Sequence, residues 1–337
     1  MGTSRWPARA RWLGLVGVLA VLCGCKPAGS PGTTPSPAAN YPTRAITLIC
    51  PWAPGGGTDR LSRLVADQLQ QRLGQPVVVV NRTGGSGAAG HSAGALAKPD
   101  GYTLTMGTFE LSTMHWMGIS QLTWKDFTPI VQLNGDAAAL LVRHDAPWKT
   151  LSEFLDHIRK NPGAIKMSGT STGAAWDLAR AGFLLAAGLK VDSVLWVPTQ
   201  GAAPSLVELL GGHIDAVCCS VPEAAPQIEA RQVRVLGVMA SDRIRDFPDL
   251  PTVKEAGVDW EAIGWRGIML PKDAPVSLTD RLERELRAMV ESADFKEFMR
   301  KNGFAIVLRG PREFARFLEA QDEQWHKVIV AAGYARP

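Results

Sequence analysis

Ser171 has the best claim to nucleophilic chemistry in this 337-residue chain. It lies in a Gly-x-Ser-x-Gly stretch at 169–173, between a strand-like run at 165–168 and a helical stretch at 178–189. Such a turn exposes a serine hydroxyl on an elbow. Asp215 and His326 follow in the chain order of an α/β hydrolase, so a serine hydrolase is an alternative to be weighed. Two features oppose it: no His-Gly-rich oxyanion segment precedes the serine, and His326 falls in an amphipathic helical pattern with Phe314, Leu318 and Trp325. A second candidate is Gly-x-Gly-x-x-Gly at 85–90, with Glu110 at the distance where a dinucleotide enzyme places its ribose-binding acid. It follows the second strand-like run rather than the first, which counts against that chemistry. His91, His115, His144, His157 and His213 are scattered without metal-ligand spacing, so neither a metal nor another cofactor is expected. Glu283 and Glu285 interleave with Arg281, Arg284 and Arg287, the pattern of a solvated helix face rather than an acid/base pair.

What remains is anion binding. Residues 51–57 read Pro-Trp-Ala-Pro-Gly-Gly-Gly and precede a helix whose stripe is Leu61, Leu64, Val65, Leu69 and Leu73. Thr58 or Asp59 can cap its start, and Gly74 stops it. Free N–H groups and the helix dipole make that start a ready anion site, although three glycines can also serve a tight turn alone. The loops at 81–90 and 168–177 repeat the arrangement. Three glycine-rich connections from strand to helix give a donor-rich crevice without a credible general base, which suits binding better than turnover.

The elements that carry these loops alternate. Strand-like runs fall at 45–50, 76–80, 102–106, 130–133, 138–143, 165–168, 193–197, 214–219, 233–239 and 305–308, with helical stretches between them. This is α/β architecture, and the 297 residues from Tyr41 onward suit two lobes. Cys50, Cys218 and Cys219 end apolar runs and do not form a disulfide framework, although a strained Cys218–Cys219 bridge stays open.

Arg5, Arg9 and Arg11 precede an apolar run at 12–22, too short to span a membrane, and together they read as an export signal. The order Leu22-Cys23-Gly24-Cys25 resembles a bacterial lipobox, which implies removal of 1–24 and a lipid on Cys25. Residues up to 40 read as a flexible tether. Without the three signal arginines, 33 basic residues face 32 acidic ones, so no nucleic-acid partner is expected.

Over the chain from about Tyr41, the sequence resembles the Bug-type receptors, the solute-binding components of tripartite tricarboxylate transporters. The matching stretches include 51–59, 77–90, Lys98-Pro99-Asp100-Gly101-Tyr102, Thr199-Gln200-Gly201-Ala202-Ala203-Pro204, Gly211-Gly212-His213-Ile214-Asp215 and Gly264-Trp265-Arg266-Gly267. The resemblance implies a two-lobed periplasmic-binding-protein-like fold (type II) with the ligand cleft between lobes. One lobe would be 41–140 plus 264–337 and the other 141–263. It implies a small organic acid held by N–H groups and hydroxyls rather than by a buried arginine, and a membrane permease as partner for a monomeric receptor. The expected location is the periplasm, lipid-anchored, with the outer membrane preferred because Lys26 rather than aspartate follows Cys25.

Carried over residue by residue, the resemblance places Trp52, Ala53, Gly56, Gly57 and Asp59 in the first-lobe ligand loop. The second-lobe loop would supply Ser171, Thr172, Gly173, Ala174, Trp176 and Asp177, and Gln200, Gly201, Ala202 and Asp215 would also face the cleft. Gly85 and Ser86 are candidates from the second glycine loop. Ala174 and Asp177 stand where many relatives have a serine and a histidine. Asp177 therefore either pairs with a ligand donor or caps the following helix. Trp52, Trp176 and Trp265 are candidate apolar walls for an aromatic or branched acid, or else ordinary core. A sensory receptor would use the same cleft.

Overall fold

The computed structural model describes residues 40–336. The expected signal at 1–24, Cys25 and the tether up to 39 lie outside the described residues. The first half runs β1 (Ile46–Cys50), α1 (Gly57–Leu73), β2 (Val77–Asn81), α2 (Ala88–Ala95), β3 (Thr103–Thr108) and β4 (Phe127–Arg143). Next come α3 (Leu151–Lys160), β5 (Ile165–Ser168), α4 (Ala175–Ala186), β6 (Val194–Trp196), α5 (Ala202–Leu210), β7 (Ala216–Ser220), α6 (Val221–Glu229) and β8 (Val233–Val238). The chain returns through β9 (Ile263–Pro271), α7 (Val276–Glu291), α8 (Ala293–Lys301), β10 (Ile306–Arg309) and α9 (Pro311–Ala331).

The strands order as β2-β1-β3-β9-β4-β7-β5-β6, with β10 and β8 also on β4. Strand β4 carries the division into lobes. Up to Ala137 it pairs antiparallel with β9 and β10, and from Ala138 it pairs with β7 and β8. On one side β1 lies parallel between β2 and β3, and on the other β5 lies parallel between β6 and β7. The βα connections of both lobes therefore open toward a common crevice.

Two elements differ from the sequence expectation. Two short strands were expected at 130–133 and 138–143, but β4 is continuous through Gln132, Asn134, Gly135 and Asp136. The gap at 134–137 lacks an apolar run; in the fold Gln132, Asn134 and Asp136 are buried and hydrogen-bonded, so the ladder runs on. Strand β9 was not expected at all, because two glycines and an arginine hide its alternation.

Two large hydrophobic cores form among the described residues. The first centres on Leu48, Leu61, Val65, Leu69, Leu104, Leu282 and Phe295. The α1 stripe supplies Leu61, Val65 and Leu69, all fully buried, each contributing about 1.5–3 kcal/mol against exposure. Gly74 ends α1 in the left-handed conformation, its N–H bonding the Gln70 carbonyl. The second core centres on Leu140, Phe154, Phe183, Leu206 and Val217, and also takes Phe314, Leu318 and Trp325 of α9. Beyond α9, the Tyr334 hydroxyl meets Arg180 at 2.7 Å. Helix α9 lies against β4, and its apolar face runs on into the second core.

Cys218 and Cys219 are free, buried thiols. Successive side chains of β7 point to opposite faces of the sheet, which separates neighbouring sulfurs. Burial pushes the Cys50 thiol up to about 11 and also raises Cys218 and Cys219, so none is a ready nucleophile.

Candidate ligand cleft

The C-terminal ends of β1, β3, β5 and β7 face one crevice between the lobes. It is lined by Trp52, Ala53, Gly56, Gly57, Trp176, Gly201, Ala202 and Trp265 among the residues expected there. Three helix starts meet at it: Gly57 and Thr58 open α1, Ala175 and Trp176 open α4, and Ala202 and Ala203 open α5. Each presents N–H groups at the positive end of a helix dipole.

Local chemistry holds the first-lobe loop in place. The carboxylate of Asp59 accepts bonds from the Gly55 N–H (2.9 Å), Arg63 and the Asn81 amide, whose other bond goes to the Trp52 carbonyl. Burial pulls the Asp59 pKa upward, but the bonds from Arg63, Gly55 and Asn81 outweigh it and leave the value lowered. Asp59 thus clamps the loop and does not line the crevice.

The Gly-rich motifs have packing explanations. A Cβ on Gly90 would stand 2.7 Å from the Arg82 carbonyl oxygen and from Pro51 Cα, so this glycine lets α2 approach β1. A Cβ on Gly169 would stand 2.1 Å from the Cys218 carbonyl oxygen, so the first glycine of Gly-x-Ser-x-Gly permits β5 to lie against β7. Ser171 donates to the Thr199 carbonyl (3.0 Å), Asp215 accepts from the Lys166 N–H (2.8 Å), and His326 stacks on Trp116. The hydrolase order therefore does not assemble a triad.

Several expected site residues stand elsewhere. Asp215 precedes β7, at the end of that strand remote from the crevice. Asp177 is fully buried, paired with Arg180 at 2.6 Å and bonded to the Gly173 N–H at 2.9 Å, with Tyr334 beside it. Its oxygens already have internal partners because Arg180 needs a counter-charge inside the second lobe, so it anchors its own loop rather than facing a ligand. Ser86, Thr172 and Gln200 join the lobes instead of lining the space: Ser86 donates to the Thr172 carbonyl (2.9 Å), and the Ala53 N–H reaches the Gln200 carbonyl (3.3 Å). Gly85, Gly173 and Ala174 likewise fall outside the lining.

Other lining residues come from outside the expected set: Thr58, Thr108, Phe109, Glu110, Thr170, Ala175, Ala203, Pro204, Glu223, Gly264 and Arg266. Arg266 donates from Nε to Thr58 (2.9 Å), from Nη1 to Asp136 (2.9 Å) and from Nη2 to Glu223 (3.0 Å). Burial pushes Asp136 up to about 6, with Arg266 opposing. Glu110 accepts from the Ala175 N–H across the lobes (2.9 Å) and from Thr108, which in turn meets Trp52 Nε1 at 3.4 Å. Burial raises the Glu110 pKa, with the bonds from Thr108 and Ala175 opposing. Position was the usable signal for Glu110, since it follows the end of β3 at the same edge as the glycine loops.

Residues 61–334 match the family described as the tripartite tricarboxylate transporter family receptor. The chain belongs to that family. Among its relatives is BugT of Bordetella pertussis, 28% identical over 96% of this chain and 98% of BugT. An R. palustris structure with adipate superposes with TM-score 0.83 at 29% identity, covering 88% of this chain and 99% of that one. MatC from Rhodopseudomonas palustris with bound malate gives TM-score 0.80 at 26% identity, covering 86% of this chain and all of MatC. The two-lobed periplasmic-binding architecture of this receptor is thus that of its family. No helix among the described residues is long and apolar enough to cross a membrane.

Proposed function

We propose that this receptor closes its two lobes, 41–140 with 264–337 and 141–263, around a small carboxylate-bearing molecule in the periplasm and delivers it to a membrane permease. The convergence of three helix starts from both lobes on one tryptophan-walled crevice carries this reading, because neutral N–H donors hold a carboxylate without a buried ion pair. The malate and adipate of the R. palustris structures support the ligand class. Of the expected contacts, Trp52, Ala53, Gly56, Gly57, Trp176, Gly201, Ala202 and Trp265 are retained as ligand-facing. A monomer tethered through lipidated Cys25 completes the proposal; incorporation of labelled fatty acid, lost in Cys25→Ala, checks the anchor.

A thermal-shift screen against mono-, di- and tricarboxylates, aromatic acids and amino acids tests the function. A true ligand at a hundred times its Kd stabilises by about 2.7 kcal/mol, a plain rise in Tm. No rise with any acid, repeated after refolding to remove retained ligand, would contradict the proposal.

A further inference from the structure

We propose that Glu110 sets the specificity of the cleft by reading a positively charged nitrogen on a ligand that also carries a carboxylate. This deepens the receptor reading and rests on it. Glu110 is 2% exposed, lines the crevice, and comes from the first lobe to meet the start of α4 in the second. The other acids nearby are matched: Glu223 and Asp136 share Arg266, and Asp59 has Arg63. Among the described residues, Glu110 forms no ion pair. Its two oxygens accept from the Ala175 N–H and the Thr108 hydroxyl, which leaves lone pairs on each. A buried carboxylate without a counter-charge is costly, and the α4 dipole compensates only partly.

Two consequences follow for the ligand. The anion seat at α4 is already filled by the protein's own carboxylate, so a ligand carboxylate is left the starts of α1 and α5. A second ligand carboxylate near Glu110 would meet like charge, whereas an ammonium would supply the missing counter-charge beside the Trp52 and Trp176 rings. A separate observation also points to a ligand. Trp265 Nε1 and Thr170 Oγ1, on residues 1% and 4% exposed that line the same space, have no hydrogen-bond partner among the described residues. The indole N–H requires an acceptor, which a ligand carboxylate provides.

Calorimetric titration of the full chain with α-amino acids and 4-aminobutanoate, set against succinate and glutarate, tests the assignment. At least one amino carboxylate should bind tenfold or more tightly than the dicarboxylates. Glu110→Gln should erase or invert that gap, and Glu110→Asp should keep its sign. A residue that only latched the lobes would weaken every probe by the same factor, and that result overturns the inference. So does a dicarboxylate preference in the unaltered chain, which leaves the receptor reading standing. If Glu110→Gln does not fold, the unaltered chain and Glu110→Asp decide by the same criteria. Failure of every carboxylate to bind overturns the receptor reading and this inference with it.

Discussion

Arg266 donates from all three of its guanidinium nitrogens, and each acceptor belongs to a different element: Thr58 to α1, Asp136 to β4 and Glu223 to α6. Removing it strands two buried carboxylates, so Arg266→Ala should cost about 3–5 kcal/mol in urea unfolding. The loss should depend on pH. Asp136 titrates at about 6 in the fold against an ordinary 3.8, so between those values the folded chain binds more protons than the unfolded one. Its contribution is fully present below about pH 4 and is lost as pH rises through about 6. Without Arg266 the upper edge of that window should move higher. An unchanged pH profile in Arg266→Ala would show that the arginine does not govern Asp136. None of this network was legible from residue types, because its members are separated by up to 208 positions and only the fold brings α1, β4, α6 and β9 together. The glycine loops were legible, since each puts its donors beside its own helix.

At the scale of elements, the glycine motifs act through backbone approach. Gly169→Ala would drive a methyl group into the Cys218 carbonyl and should cost about 1–3 kcal/mol as β5 and β7 separate. Ser171→Ala removes only the bond to the Thr199 carbonyl and should cost about 1 kcal/mol. Urea midpoints of the two variants rank them, and the reverse order would mean that the serine, not the glycine, sustains the turn. Most strands were readable from β-branched runs, as Val77 to Val80 shows. Strands β9 and the middle of β4 were not, because Gly135, Gly264 and Gly267 and the buried polar groups of the Arg266 network interrupt the apolar pattern. Those two strands are the crossings between lobes, where polar burial and close packing override propensity. Gly264 faces Trp176 and Gly267 faces Phe314, so neither position has room for a side chain.

The described residues form two large cores joined by β4, β9 and α9 and bridged by Ser86 to Thr172, Ala175 to Glu110 and Arg60 to the Pro222 carbonyl. Strand and helix rhythm pointed to α/β architecture and chain length to two lobes, but the placement of Tyr334 against Arg180 depends on where α9 ends its run. Binding between lobes predicts protection at both walls together. The most direct test is amide hydrogen exchange with and without the acid that most raises the Tm. Slowed exchange at residues 53–58, 175–176 and 201–203, drawn from both lobes, is the expected result. Protection confined to one lobe, or none in these segments, would contradict a receptor that closes on its ligand.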